Sequence, residues 1–212
     1  MRVTAEMRWF WLGQCPPDLE SWFFKSSPRA GGGQPRCDEY VRPSNGAELG
    51  IKKRGSKAGV EVKGLIETSR CTELITLAPH YELWCKWTSN DFLFNRTNLL
   101  VTKKVRWARK LDTSRSSVFE VPLGADEVPL SGGWVQEGCN LTLTDVQIVG
   151  VAGQWWTFCF EAFGNLESAP KNLQAATSHT RSTSFPQLNG ALLSYPAWLS
   201  QVGAASTLIS RP

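Results

Sequence analysis

The chain has 212 residues, a formal net charge of +4 from 23 Lys and Arg against 19 Asp and Glu, and six cysteines. That length supports one domain with a substantial core, and so small a net charge gives no indication of nucleic-acid binding, so an anion-binding role must rest on where the cations cluster. The cysteines (Cys15, Cys37, Cys71, Cys85, Cys139, Cys159) include no C-x-x-C pair, which excludes an obvious zinc site, and no uncharged apolar run is long enough for a membrane span.

In chain order, the first predicted strand covers 3–12, where Glu6 and Arg8 alternate with apolar residues. Residues i and i+2 share one face of a strand, so both charges point to the same side. Cys15-Pro16-Pro17-Asp18 is a helix-start signal, and Leu19, Trp22 and Phe23 recur at helical spacing, which predicts an amphipathic helix to about Lys25. Pro28 and the run Gly31-Gly32-Gly33 predict a flexible connector, because no G-K-[ST] ending follows to make a phosphate loop. Further strands are expected near 37–42, 48–54, 59–66, 81–88, 100–110, 117–123, 139–149 and 154–163. Several repeat the alternating pattern: Lys52 with Arg54, Glu61 with Lys63, Lys86, Lys104 with Arg106, and finally Glu161. One face thus collects seven cations, Arg8, Lys52, Arg54, Lys63, Lys86, Lys104 and Arg106, against few carboxylates. A sandwich would bury those charges without water, whereas a barrel encloses a wet, ligand-sized lumen, so a mainly β (α+β) antiparallel barrel with a few covering helices is expected.

The opposite faces, with Val60, Val62, Trp107, Trp156, Phe158 and Phe160, need a cover. The predicted helix at 16–25 and the tail, with Leu173, Leu188, Leu192, Leu193, Tyr195, Trp198 and Leu199, are the expected covers of that outer face. Segment 165–186 reads as irregular with a short helix around 169–177, and the residues from about Gly203 as disordered. The organisation is therefore one barrel domain at 1–164 and a C-terminal extension at 165–212 that packs on it.

The order of these pieces resembles the CYTH superfamily, the triphosphate tunnel metalloenzymes, over about residues 3–163. Thr4-Ala5-Glu6-Met7-Arg8 is similar to that family's first-strand E-x-E-x-K, with Thr4 at the first acid position. Leu49-Gly50-Ile51-Lys52-Lys53-Arg54 resembles its L-R-I-R strand, Val62-Lys63-Gly64 its K-G strand and Lys104-Val105-Arg106 its K-x-R strand. Trp155 to Glu161 resembles the closing strand, with Cys159 at the first acid position and Glu161 at the second. The strand Trp155-Trp156-Thr157-Phe158 and the tail Tyr195-Pro196-Ala197-Trp198-Leu199 look more particularly like an uncharacterised bacterial branch of CYTH-like proteins.

The resemblance implies an eight-stranded tunnel barrel in which Glu6 and Glu161 hold Mg²⁺ or Mn²⁺ and the seven cations hold the phosphates of a triphosphate-bearing small molecule or of inorganic polyphosphate. With acids missing at Thr4 and Cys159, it favours phosphate binding over efficient turnover. Two other readings stand beside it: a non-catalytic barrel for another organic anion, and a structural or partner-binding protein whose interior charges only pair. On the bland reading Glu61 neutralises Lys63, Trp84 and Trp87 pack in core or rim, and Lys53, Lys57, Lys103, Arg109 and Lys110 are solvated surface charges. Asn95-Arg96-Thr97 and Asn140-Leu141-Thr142 match the glycosylation pattern by chance, since Met1 to Trp11 does not read as a secretion signal. His80 and His179 lack a nucleophile motif, which argues against a Ser-His or Cys-His hydrolase. A phosphate-rich small molecule as partner, no membrane, and a reducing cytoplasm are expected; the oligomeric state and the substrate are not set by the sequence.

Overall fold

A computed structural model describes residues 1–25, 33–43, 46–55, 58–71, 77–90, 98–130 and 135–209, with side chains described up to Gly203. Gly31 and Gly32 of the connector, Lys57 and the Asn95–Thr97 triplet lie outside the described residues. The described elements are β1 (Arg2–Leu12), α1 (Pro17–Lys25), β2 (Gln34–Val41), β3 (Leu49–Arg54), β4 (Val60–Arg70), β5 (His80–Ser89), β6 (Leu99–Asp112), β7 (Phe119–Val121), β8 (Gly138–Ile148), β9 (Trp155–Gly164), α2 (Ser168–Arg181), β10 (Ala191–Leu192) and α3 (Tyr195–Ile209).

Eight strands in the order β1-β5-β4-β3-β2-β6-β8-β9 form one antiparallel ring that closes where β9 pairs with β1, with Glu6 opposite Glu161. Outside the ring, β7 pairs with β6 and β10 with β1. Closure removes the exposed edges that a sheet of alternating apolar strands would otherwise offer to other chains. No helix among the described residues is long and apolar enough to cross a membrane.

Period-two alternation sends odd-numbered residues of β1 outwards and even-numbered ones inwards, and the helices follow from that division. Met7 and Trp9 of β1, Leu141 and Leu143 of β8, and Phe158 and Phe160 of β9 form an outer core together with Leu19, Trp22 and Phe23 of α1 and Ala169, Leu173 and Ala176 of α2. α1 starts with proline and has Asp18 and Glu20 in its first turn and Lys25 in its last, which suits the helix dipole at both ends. α2 runs further than the expected 169–177. Asn165 Oδ1 accepts from the backbone N–H groups of Glu167 and Ser168, which fixes the start. Leu173 is the one large apolar residue of the helix's buried stripe, which otherwise holds Ala169, Asn172, Ala176, Thr177 and Thr180, so its hydrophobic periodicity is faint in the sequence.

Arg109 corrects the expectation of a solvated charge. It is 8% exposed, lies under α1 with its guanidinium carbon 4.6 Å from the Trp22 ring centroid, and donates two hydrogen bonds to Glu120, at 2.7 and 2.6 Å.

The tail also packs differently from the expectation. Leu173, Leu188 and Leu192 do cover the outer face, but Leu193, Tyr195, Trp198 and Leu199 belong to a second core with Phe10, Tyr40, Leu100, Val146, Ile148 and Trp155. These six share strand faces with the inward charges. α3 therefore stops one end of the barrel and does not lie along its side. Trp198 stacks on Phe10 at 4.8 Å and 10° between ring planes, Tyr195 stacks on Tyr40 at 5.4 Å and 8°, and Arg42 Nη1 donates to the Gly203 carbonyl at 2.9 Å. Inward residues at this end of the strands are apolar, so the apolar side chains of α3 satisfy them where water would not.

Candidate functional site

The barrel encloses a cavity of about 460 Å³, within the size range of ligand sites. All seven expected cations, Arg8, Lys52, Arg54, Lys63, Lys86, Lys104 and Arg106, line it, and so do Glu6 and Glu161. Arg2 and Arg36 join them, as do Asp38, Glu61, Asn140, Thr142, Thr144, Tyr40 and Tyr195. Nine cations thus line the cavity with four carboxylates, and even with Glu127, which reaches Arg36 and Arg106 from outside the lining, the excess matches the +4 of the whole chain. The rest of the protein is close to neutral, and the lumen carries the positive charge.

Position along each strand grades the lumen by depth. On β1 the inward series runs Arg2, Thr4, Glu6, Arg8, Phe10, from an exposed residue to one buried against the α3 stopper. On β6 it runs Arg106, Lys104, Thr102, Leu100, and on β8 Asn140, Thr142, Thr144, Val146. The charged half is open and the apolar half is stopped.

Carboxylates hold most of these cations. Glu6 Oε2 accepts from Lys63 at 2.7 Å, while Oε1 pairs with Lys86 at 2.8 Å and accepts from the Thr4 hydroxyl at 2.7 Å. Lys86 also reaches Glu161 at 3.1 Å, so its ammonium group bridges the two carboxylates that face each other across β1 and β9. Glu61 pairs with Lys52 at 2.9 Å and Arg54 at 3.2 Å, and not with Lys63 as expected. In the register of β3 and β4, Glu61 stands opposite Lys52. Glu127, which the sequence did not single out, pairs with Arg36 and with Arg106. Asp38, also not foreseen, pairs with Lys104 at 2.9 Å and Lys52 at 3.7 Å. Its strand alternates Arg36, Asp38 and Tyr40, the same signal as in the strands that were read as charged, but β2 begins at Gln34 and not at 37, so Arg36 fell outside the expected strand and the alternation went unread.

The electrostatics follow from this pairing. Burial opposes the charge on Glu6, yet the Lys63 and Lys86 ammonium groups outweigh it and hold its carboxyl well below the usual range. Burial likewise works against Asp38, but Lys104 and Lys52 hold it at about 2. Lys104 pays the complement: burial pulls its ammonium down to about 7 despite Asp38. Lys52 and Lys63 are lowered too, first by burial, whereas for Lys86 the carboxylates of Glu161 and Glu6 overcome burial and raise it.

Glu6 and Glu161 do not fit a divalent metal as they stand. Lys86 already sits between them, Cys159 occupies the neighbouring inward position with its thiol pushed by burial up to about 12, and the described residues contain no group of three or more metal-ligating side chains. A hard cation needs oxygen donors that an ammonium group has not taken.

Trp84 is buried and donates to Glu82 at 3.0 Å, with the Lys63 ammonium 4.2 Å from its ring centroid; Trp87 is 42% exposed at the cavity edge. All six cysteines are free thiols. No protein-family model matches the chain, and no curated protein matches it.

Proposed function

We propose that the chain binds a triphosphate-class polyanion, either a triphosphate-bearing small molecule or inorganic polyphosphate, in the barrel lumen. The observation that carries this reading is the convergence of nine cations on one 460 Å³ cavity in a chain with little net charge elsewhere. Arginines offer phosphate a bidentate fork and lysines a point charge, and both act more strongly in a lumen where solvent screening is incomplete. Binding without metal is favoured over hydrolysis with Mg²⁺ or Mn²⁺, because Lys86 takes the space between the two candidate acids. Free thiols support a reducing compartment such as the cytoplasm.

The competing reading, a barrel stiffened by internal ion pairs, draws on the fact that most lumen cations have a carboxylate partner. Calorimetry with inorganic tripolyphosphate at low ionic strength, with and without Mg²⁺, separates the two. The proposal expects binding that weakens steeply with salt and persists without metal; the absence of binding in both conditions refutes it.

A further inference from the structure

Arg8 and Tyr195 meet on the floor of the lumen. Arg8 lies one inward position below Glu6 on β1, Tyr195 opens α3, and the guanidinium carbon is 5.2 Å from the centroid of the phenol ring. Apart from the exposed Arg2, every other lumen cation has a carboxylate partner, whereas Arg8 has none among the described residues. It makes one long hydrogen bond, Nη1 to Thr157 Oγ1 at 3.4 Å, and its Nε is buried with no partner. The Tyr195 hydroxyl is likewise buried with no partner.

The phenol is nonetheless held firmly in place. Its ring lies parallel to Tyr40, takes the Lys104 ammonium on its face at 4.2 Å, and meets Trp198 edge-on at 5.2 Å. Folded proteins leave few buried donors unsatisfied, and Arg8 and Tyr195, whose side chains line one cavity from separate elements, bring two such donors to its floor. Burial first of all raises Tyr195 above its ordinary value, so the phenol keeps its proton and remains a donor.

We propose that the Arg8 Nε–H and the Tyr195 O–H form a two-donor seat for the innermost oxyanion group of the ligand, so that the C-terminal helix supplies part of the binding site as well as closing the barrel. This rests on the reading of the lumen as a polyanion site and names where the polyanion ends. Because α3 stops the barrel at this level, the group in the seat is a terminal phosphoryl group and not one from the middle of a threaded chain. Two other cavity-lining residues carry unpartnered atoms and take no part in the seat: Asp38 Oδ1 is an acceptor whose carboxylate holds Lys104, and Arg54 Nε belongs to a guanidinium already paired with Glu61.

Calorimetric titration of inorganic tripolyphosphate at low ionic strength into the wild type, Tyr195→Phe and Arg8→Lys tests the proposal, with urea midpoints measured on all three. Tyr195→Phe removes one oxygen that has no partner in the free protein, so the midpoint should hold or rise while affinity falls about tenfold or more, the range for a hydrogen bond to a charged group. Arg8→Lys keeps the charge and removes the Nε donor, and should lose affinity to a similar degree. Affinities within about twofold of wild type in both variants overturn the seat while leaving the lumen reading intact. A wild type that does not bind tripolyphosphate overturns the lumen reading itself, and the seat with it. If Tyr195→Phe does not fold, Arg8→Lys decides alone.

Discussion

Trp198→Ala tests whether α3 is a structural stopper. Trp198 is 1% exposed, stacks on Phe10 at 4.8 Å, and meets Trp155 at 5.8 Å and Tyr195 at 5.2 Å. Truncation removes its burial and leaves a cavity between the helix and six inward side chains on β1, β2, β6, β8 and β9. Refilling that cavity requires the barrel end to contract, which a closed hydrogen-bonded ring resists. The cost expected for a buried tryptophan is about 3–5 kcal/mol. With a urea dependence of about 2–3 kcal/mol per molar, the midpoint should fall by roughly 1–2 M. Urea unfolding followed by circular dichroism measures the shift, with tryptophan fluorescence as a second probe. A loss below about 1 kcal/mol, with coincident transitions in both probes, would mean that the helix lies loosely on the barrel, and it would refute the stopper reasoning.

Glu6→Gln should act in opposite directions on stability and binding. It takes a carboxylate from Lys63 at 2.7 Å and Lys86 at 2.8 Å, which should cost about 2 kcal/mol, less than the 3–5 of a fully buried pair because both lysines keep some solvent contact. Tripolyphosphate affinity measured without metal should rise, since the lumen gains net positive charge; a fall that appears only when Mg²⁺ is present would instead identify Glu6 as a metal ligand. pH gives a further check through Lys104. Its ammonium releases a proton near 7 in the folded chain and near 10.5 when unfolded, so between those values the unfolded chain binds more protons and stability rises with pH. Lys52 and Lys63, lowered in the same direction, add to the slope. Urea midpoints measured across that window should climb, and Lys104→Met should flatten the climb; a slope unchanged by the substitution would contradict the assignment. Anion affinity should fall as pH rises through 7, since the lumen then loses a charge.

Period-two alternation made the barrel legible, because a closed ring has only an inside and an outside. Charges at Lys52 and Arg54 or at Lys104 and Arg106 had to share whichever face their strand presented. α1 was equally readable from Pro17, Asp18 and the spacing of Leu19, Trp22 and Phe23. Which carboxylate neutralises which cation was not readable, because strand register and lateral order decide it. Glu61 meets Lys52 across β3 and β4 rather than its own neighbour Lys63, and Glu127 reaches Arg36 and Arg106 from a turn distant in sequence. The destination of the tail was likewise a tertiary matter. Tyr195, Trp198 and Leu199 are apolar enough for either surface of the barrel, and only the ring's closure, with Phe10, Tyr40, Val146 and Trp155 turned inwards at one end, creates the opening that α3 fills. The unpartnered donors of Arg8 and Tyr195 exist for the same reason: residues 187 positions apart meet only once that end of the barrel is stopped.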